Sequence, residues 1–300
     1  MFDHFVWSVL VVPPLIVVAV RLVADRLRPA TAAVVVAWSA AVAAVASLFN
    51  LALLTAKAIA QTPAVAAAFG LSPHLVAHDT AHVAWVPPVS AGLLVASVSS
   101  VLWSRHRRRR VLAAAAELLP GGGGPVVEIH DARAQAFAVP GDPGRIVVTT
   151  GMRGLLTGPQ FEALLAHEHA HLDGRHHRLV ALADFAASAH PALRWVARHV
   201  GYLVERAADE RAAETVGSRR TVAHAIGVAA LAGHAPVSAG LNAASSGGVT
   251  PRRVTHLLQP RRLAPPAWRL LPVLLAAASV VWTGEAAIDL VQLLTAARLV

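Results

Sequence analysis

The feature that most constrains this chain is a set of four long apolar segments that are almost free of charge. Three cover residues 5–24, 32–54 and 83–103, and the fourth begins near Trp268. An α-helix needs about 20 apolar residues to cross the hydrocarbon core of a bilayer, so each segment is a candidate membrane helix. A buried helix of a soluble protein is the alternative. The composition favours the membrane, because 56% of the residues are hydrophobic and 14% charged, against about 45–50% and 25% in soluble domains.

The basic residues beside these segments predict the direction in which the chain crosses the membrane. Arginine and lysine accumulate on the cytoplasmic side. They occur in the first loop and at both ends of the region 104–266, whereas the second loop has only Lys57 at its start. We therefore expect a multi-pass protein of the cytoplasmic membrane, with the N-terminus outside and three helices within residues 1–103. Residues 104–266 would be cytoplasmic, and residues 267–300 would hold the fourth helix and a short outer tail.

The arginine-rich run at 105–110, "RHRRRR", has two interpretations. It can anchor the third membrane helix and contact anionic lipid headgroups, or it can be an arm that binds nucleic acid. We favour the contact with membrane lipid because the run directly follows a membrane segment. No direct binding of nucleic acid is expected.

The region after this run contains short stretches rich in β-branched residues. "VVEIH", "QAFAVPG" and "RIVVTTG" are separated by turn residues, which predicts a small sheet with a hairpin over residues 136–150. "PGGGGP" at 120–125 is expected to break the preceding helix, and residues 238–248 are expected to form a flexible loop. The predicted fold is mainly α: four membrane helices, with an α+β domain inserted between the third and the fourth.

A helix with the motif H-E-x-x-H follows the predicted sheet. Thr157 and Gln160 fit a capping box at its start, and His167 and His171, four residues apart, project from one face where both imidazoles can bind one Zn²⁺. Glu168 is placed to act as the general base on water. The alternative is a chance motif on a histidine-rich surface. Since the chain has no cysteine, a transition-metal site must use His, Asp or Glu.

A second charged helix, at 202–217, offers the third ligand. Glu205 and Asp209 lie one turn apart on one face, so Glu205 can complete a His₂Glu site while Asp209 supports a ligand imidazole. The alternative is a solvated face whose acidic residues pair with neighbouring arginines. The position of this pair 33 residues after the H-E-x-x-H helix favours the metal site. The other nearby histidines, His169, His176 and His177, are predicted not to bind the metal.

With these motifs the chain resembles the gluzincin metallopeptidases, and specifically the BlaR/MecR antirepressor family of membrane proteins. The resemblance is carried by "AFAVPG", "IVVTTGM", "LTGPQFEALLAHEHAHL" and "ERAAD" in this order. The similar HtpX-type family has membrane helices between the H-E-x-x-H motif and the third ligand. Here that interval contains several charged residues, so we expect that it does not span the bilayer. The penicillin-binding sensor domain of the β-lactam receptors has no counterpart after the fourth segment, so β-lactam sensing by acylation is not expected.

The resemblance implies a role for each site residue. One Zn²⁺ would be bound by His167, His171 and Glu205, with Glu168 as general base and then acid, and with Asp209 supporting the site. Ala136, Phe137 and Ala138 would form the edge strand that binds the substrate backbone. A further donor to the oxyanion is needed, for which the candidates are His190, Tyr202 and His224.

Three functions remain open at this point. The first is regulatory cleavage of a cytoplasmic protein, by resemblance a winged-helix repressor of the BlaI/MecI type. The second is an HtpX-like protease of membrane quality control. The third is a non-catalytic membrane receptor or scaffold built on the peptidase fold, against which the intact Glu168 argues.

Overall fold

The computed structural model describes residues 2–78, 81–117, 124–232, 249–259 and 265–298. The loop predicted at 238–248 lies outside these ranges, as does most of the predicted break at 120–125. The described part is mainly helical and contains one small sheet.

Four helical stretches are long and apolar enough to cross a membrane, which supports the predicted membrane association. The first stretch, Phe2–Arg26, consists of α1 (Phe2–Phe5), a π-helical turn (Val6–Val11), α2 (Val12–Val23) and a 3₁₀ turn (Ala24–Arg26). The π-helical turn precedes Pro13 and Pro14, whose missing N–H groups interrupt the regular hydrogen bonding of the helix. The other three stretches contain α3 (Pro29–Ala60), α6 (Val86–Glu117) and, after a 3₁₀ turn (Pro266–Arg269), α13 (Leu270–Arg298). Between α3 and α6 lie α4 (Pro63–Phe69), α5 (Pro73–His78) and a 3₁₀ turn (Ala81–Val83).

A buried polar contact joins three of these stretches. The Asn50 side-chain amide of α3 donates hydrogen bonds to the hydroxyls of Ser8, at 2.9 Å, and Thr283, at 2.7 Å. Because lipid offers no substitute partner, such bonds fix the register of membrane helices against one another. The first, second and fourth stretches therefore pack as one bundle.

The sheet has three strands, β1 (Val126–Ile129), β2 (Ala136–Val139) and β3 (Arg145–Thr149). Their order is β1-β3-β2, with β1 parallel and β2 antiparallel to β3. The predicted hairpin is confirmed by the β2–β3 pair. Within the described sheet β2 is an edge strand, and alternate residues of β3 face the two sides of the sheet.

The remaining helices follow the sheet along the chain and supply the site. They are α7 (Thr150–Leu155), α8 (Gly158–Asp173), α9 (His176–Ala189), a 3₁₀ turn (Pro191–Leu193), α10 (Arg194–Val216), α11 (Arg219–Ala232) and α12 (Val249–Leu258). The capping box of Thr157 and Gln160 is present at the start of α8. Apolar residues of α8 pack on one face of β3 through Ile146 and Val148.

The helical hairpin formed by α9 and α10 packs along the membrane helices. Its buried residues, among them Ala186 and Val200, share one core with α2 and with residues 32–44 of α3. At the tip of the hairpin, His190 Nε2 lies 2.8 Å from the backbone oxygen of Val9. The interval is not among the four candidate spans, in line with the charged sequence. The packing nevertheless shows that the hairpin runs beside the first two spans rather than apart from them.

Candidate active site

The three predicted metal ligands converge where α8 crosses α10. The Nε2 atoms of His167 and His171 lie 3.1 Å apart. The Glu205 carboxylate faces both, with one oxygen 3.6 Å from His167 Nε2 and the other 3.5 Å from His171 Nε2. The structure therefore brings together, from two helices, the histidine pair and the glutamate that the sequence motif names.

The spacing of these atoms suits one metal ion. Ligand atoms at about 2.0–2.2 Å from a tetrahedral ion are separated by roughly 3.3–3.6 Å. Both distances from the Glu205 carboxylate to the imidazoles fall at this separation, and the two imidazole nitrogens are slightly closer. Two imidazoles and one carboxylate are also a common ligand set for a catalytic metal, so the residues present fit the group.

Asp209 holds the outer nitrogen of the first ligand, as predicted. One of its oxygens lies 3.0 Å from His167 Nδ1, and its side chain is only 3% exposed. Burial alone would lower the pKa of His167, but the carboxylates of Asp209 and Glu205 outweigh it and raise this pKa to about 10. The contact orients the imidazole so that Nε2 points at the ligand cluster.

Arg253 is a site residue that the sequence analysis missed, since it was counted there among the arginines that flank the fourth membrane segment. Its guanidinium donates two hydrogen bonds to the Asp209 carboxylate, at 2.7 and 2.8 Å, and lies 2.8 Å from a Glu205 oxygen. Burial alone would raise the pKa of both carboxyl groups, but the charge of Arg253 outweighs it and lowers them. Arg253 on α12 thus keeps two buried carboxylates ionised and in place.

Glu168, the predicted general base, directly follows His167 on α8 and is 8% exposed. Burial raises the pKa of its carboxyl group above the usual value. Its carboxylate accepts a hydrogen bond from the backbone N–H of Ala138 on β2. The predicted base and the predicted substrate strand are therefore in direct contact.

His176 is a second residue whose position the sequence analysis did not foresee. Its Nδ1 lies 3.0 Å from Nδ1 of His171, and burial lowers the pKa of both imidazoles to about 4. A neutral His176 can therefore accept the Nδ1–H proton of His171, which turns His171 Nε2 toward the ligand cluster. Gly174 makes this possible, because a Cβ there would lie 2.5 Å from His176 Nε2. His169 is exposed on α8 and away from the cluster.

An open cleft lies in front of this cluster. The cleft is lined by Arg108, Ala138, Pro140, Glu168, His171, Leu172, His176, His177, Val180, Val204 and Glu205. Residue Ala138 of β2 and Glu168 line the same cleft, so this strand edge and the buried carboxylate lie next to one another.

The three predicted oxyanion donors lie elsewhere. His190 uses Nε2 toward the backbone oxygen of Val9 and accepts the backbone N–H of Ala192 at Nδ1. Tyr202 is buried one turn before Glu205, where the guanidinium of Arg252 lies over its ring. His224 is exposed on α11. These positions favour structural roles for His190 and Tyr202 and leave His224 outside the cleft lining.

Replacing His176 by alanine is expected to lower the metal affinity by about 10- to 100-fold, the usual effect of removing the group that orients a ligand histidine. A competition titration with a chromophoric chelator measures this affinity. The matched control is His169→Ala, which changes an exposed histidine on the ligand helix itself and should bind metal as the wild type does. Equal affinity in the two variants would show that His171 needs no orienting partner.

Comparison with known proteins agrees with this geometry. Residues 104–230 match the family model of peptidase family M48. No curated protein and no solved structure gives a significant match. The matched range contains the histidine pair, Glu168, Glu205 and Asp209, and it ends before Arg253. Peptidases of this family are metal-dependent hydrolases. Residues 104–230 of this membrane-associated chain therefore match peptidase family M48, and this match supports a metallopeptidase domain in that range.

Proposed function

We propose that the protein is a zinc-dependent endopeptidase, held in the membrane, that cleaves a cytoplasmic protein. The observation that carries this proposal is that the buried Glu168, which directly follows the first histidine of the His167, His171 and Glu205 cluster, contacts the backbone of β2. It puts a base, a metal site and a strand edge for substrate within one cleft. A metal site that only stabilises the fold would have no need of an open cleft, and it would have no need of an additional buried carboxylate that does not bind the metal.

Zinc is the metal that this donor set favours, because neutral imidazoles with one carboxylate form the His₂Glu site of zinc peptidases. When bound, zinc would supply the positive charge that acidifies water and polarises the scissile carbonyl. The protein's own groups do the rest. The edge of β2 aligns the peptide, and the Glu168 carboxylate takes a proton from the attacking water and later gives it to the leaving amine. A raised pKa suits Glu168 to both tasks, because a carboxyl group whose pKa lies nearer to neutral pH can both accept and donate a proton.

The proposed orientation places the cleft at the cytoplasmic face of the membrane. Basic residues follow the first and third apolar segments, as expected for cytoplasmic loops. Substrates would then be proteins of the cytoplasm or cytoplasmic segments of membrane proteins. The resemblance to BlaR/MecR proteins favours a winged-helix repressor of the BlaI/MecI type as the regulated substrate.

This function is tested with the full chain in proteoliposomes loaded with zinc. Purified winged-helix repressors are incubated with it, and fragments are identified by mass spectrometry. We expect cleavage at one site of one repressor, lost when the metal is chelated and restored by zinc. Intact repressors under conditions in which the protein cleaves no other polypeptide would overturn the assignment as a peptidase.

An HtpX-like quality-control protease is the second candidate, and the hairpin of α9 and α10 favours it. The hairpin connects the H-E-x-x-H helix with Glu205 and packs along α2 and α3. The HtpX-type family has its additional membrane helices in this same interval of the sequence. Digestion of an unfolded membrane protein at many sites, with folded repressors left intact, would support this candidate over the regulatory one.

A further inference from the structure

Arg108 departs from the other arginines of the run at 105–110. Those four are exposed on α6, whereas the Arg108 side chain is 20% exposed. Its Nη2 donates a hydrogen bond of 2.6 Å to the backbone oxygen of His177. The expected role of the run as a lipid contact therefore does not apply to Arg108, which turns into the peptidase fold.

Arg108 lines the active-site cleft together with Glu168, His171 and Glu205. The same cleft has apolar lining from Leu172, Val180 and Val204. A substrate side chain that enters this end of the cleft would lay its aliphatic part on the apolar wall and bring its end to the guanidinium.

The acidic partner of Arg108 within the described residues is loosely placed. This partner is Asp184, whose carboxylate oxygen lies 3.7 Å from Nη1, longer than a hydrogen bond, and whose side chain is 48% exposed. Burial and the positive charges of Arg108, Arg178 and Arg175 lower the pKa of His177. Glu205, the nearest ligand carboxylate, is already paired with Arg253. A carboxylate brought by a substrate would therefore find a planar donor group that makes one short hydrogen bond within the described part of the chain.

We propose that Arg108 forms a subsite that selects an acidic residue, glutamate before aspartate, close to the scissile bond. This inference rests on the proposed peptidase function and adds the substrate class. The guanidinium offers several N–H donors in one plane, which match the two oxygens of a carboxylate. Glutamate fits better than aspartate because its longer stem covers more of the apolar wall.

The test uses the full chain in proteoliposomes with zinc and a library of peptides from digested cytosolic proteins. Mass spectrometry gives the residues on both sides of every cleaved bond. We expect acidic residues to be enriched at one position within two or three residues of the cut. For a matched pair of peptides that differ only by Glu or Gln at this position, kcat/KM should favour Glu by about tenfold.

Variants of Arg108 decide whether this side chain is responsible. In Arg108→Gln the ratio of kcat/KM for the Glu and Gln peptides should fall to about one, and in Arg108→Glu it should favour a Lys peptide instead. Arg107→Gln is the matched control, because Arg107 is exposed on the same helix with its guanidinium over Trp103, and it should keep the wild-type ratio. Zinc content and cleavage of the Gln peptide show that each variant is folded.

The outcomes separate this inference from the function on which it rests. Cleavage without acidic preference, or a preference that Arg108→Gln retains, overturns the subsite and leaves the peptidase standing. Failure to cleave any peptide with zinc bound overturns both. An acidic preference that disappears in Arg108→Gln and persists in Arg107→Gln supports the subsite.

Discussion

Replacing Glu168 by glutamine is expected to abolish peptide cleavage while zinc binding stays at the wild-type level. Glutamine keeps the shape of the side chain and can still contact the backbone of Ala138, but it cannot accept a proton from water. General base catalysis contributes typically 10²–10⁴-fold to a rate, and here the same group also protonates the leaving amine. We therefore expect kcat to fall by at least this factor. Cleavage of a quenched fluorescent peptide and metal analysis of the purified protein measure the two quantities.

The matched control for this variant is Glu162→Gln, an exposed glutamate on α8. It removes the same charge from the same helix outside the cleft and should leave both cleavage and zinc content unchanged. If Glu168→Gln cleaved as fast as Glu162→Gln, Glu168 would not be the base. If Glu168→Gln also lost its metal, the variant would report on the metal site and not on proton transfer.

Much of the site could be predicted from the sequence because its spacing is local. His167 and His171 are one helical turn apart, so helix geometry alone brings them to one face. The same holds for Glu205 and Asp209 on α10. The distance between the two helices does not follow from local spacing. Only the presence of both the H-E-x-x-H pattern and the Glu205–Asp209 pattern in one chain indicated that the helices meet. The structure bears this out through the short distances from Glu205 to both imidazoles.

Arg253 and Arg108 could not be assigned in the same way. Both belong to groups of arginines beside membrane segments, where positive charge has a sufficient explanation in membrane topology. The neighbouring sequence gives no sign that Arg253 and Arg252 have different roles. In the structure Arg252 pairs with Asp25, whereas Arg253 pairs with Glu205 and Asp209. Which arginine turns inward depends on how α12 and α6 pack against distant helices. A sequence without aligned relatives carries no signal for that choice.

The hairpin of α9 and α10 shows a similar limit in the fold. Its charged residues predicted that it does not span the bilayer, and it is not among the candidate spans. Its small residues, such as Ala183 and Ala186, nevertheless allow close packing against the alanines of α3, which the sequence did not predict. One helix, α10, therefore contacts the membrane helices through its first half and carries Glu205 and Asp209 in its second half. The position of a metal ligand is thus tied directly to the packing of the membrane bundle.

Replacing Arg253 by alanine is expected to destabilise the protein strongly, by about 3–5 kcal/mol, because it leaves two buried carboxylates without their cation. Arg253 is 10% exposed and Asp209 is 3% exposed, so water cannot replace the lost partner. Thermal unfolding in detergent measures the change. Arg219→Ala is the matched control. It breaks a more exposed ion pair with Glu210, which lies on α10 next to Asp209. The expected loss of stability there is about 1 kcal/mol or less.

The same variant tests whether the metal and Arg253 neutralise the same charges. With Arg253 present, Glu205 and Asp209 keep a cation when zinc is removed by a chelator. Without it, zinc and, once zinc is removed, the protonated imidazole of His167 are the positive charges left near both carboxylates. Chelation should therefore lower the melting temperature of Arg253→Ala more than that of the wild type or of Arg219→Ala. An equal drop in all three proteins would mean that Arg253 and the metal stabilise the site independently, and that the carboxylates of Glu205 and Asp209 do not link them.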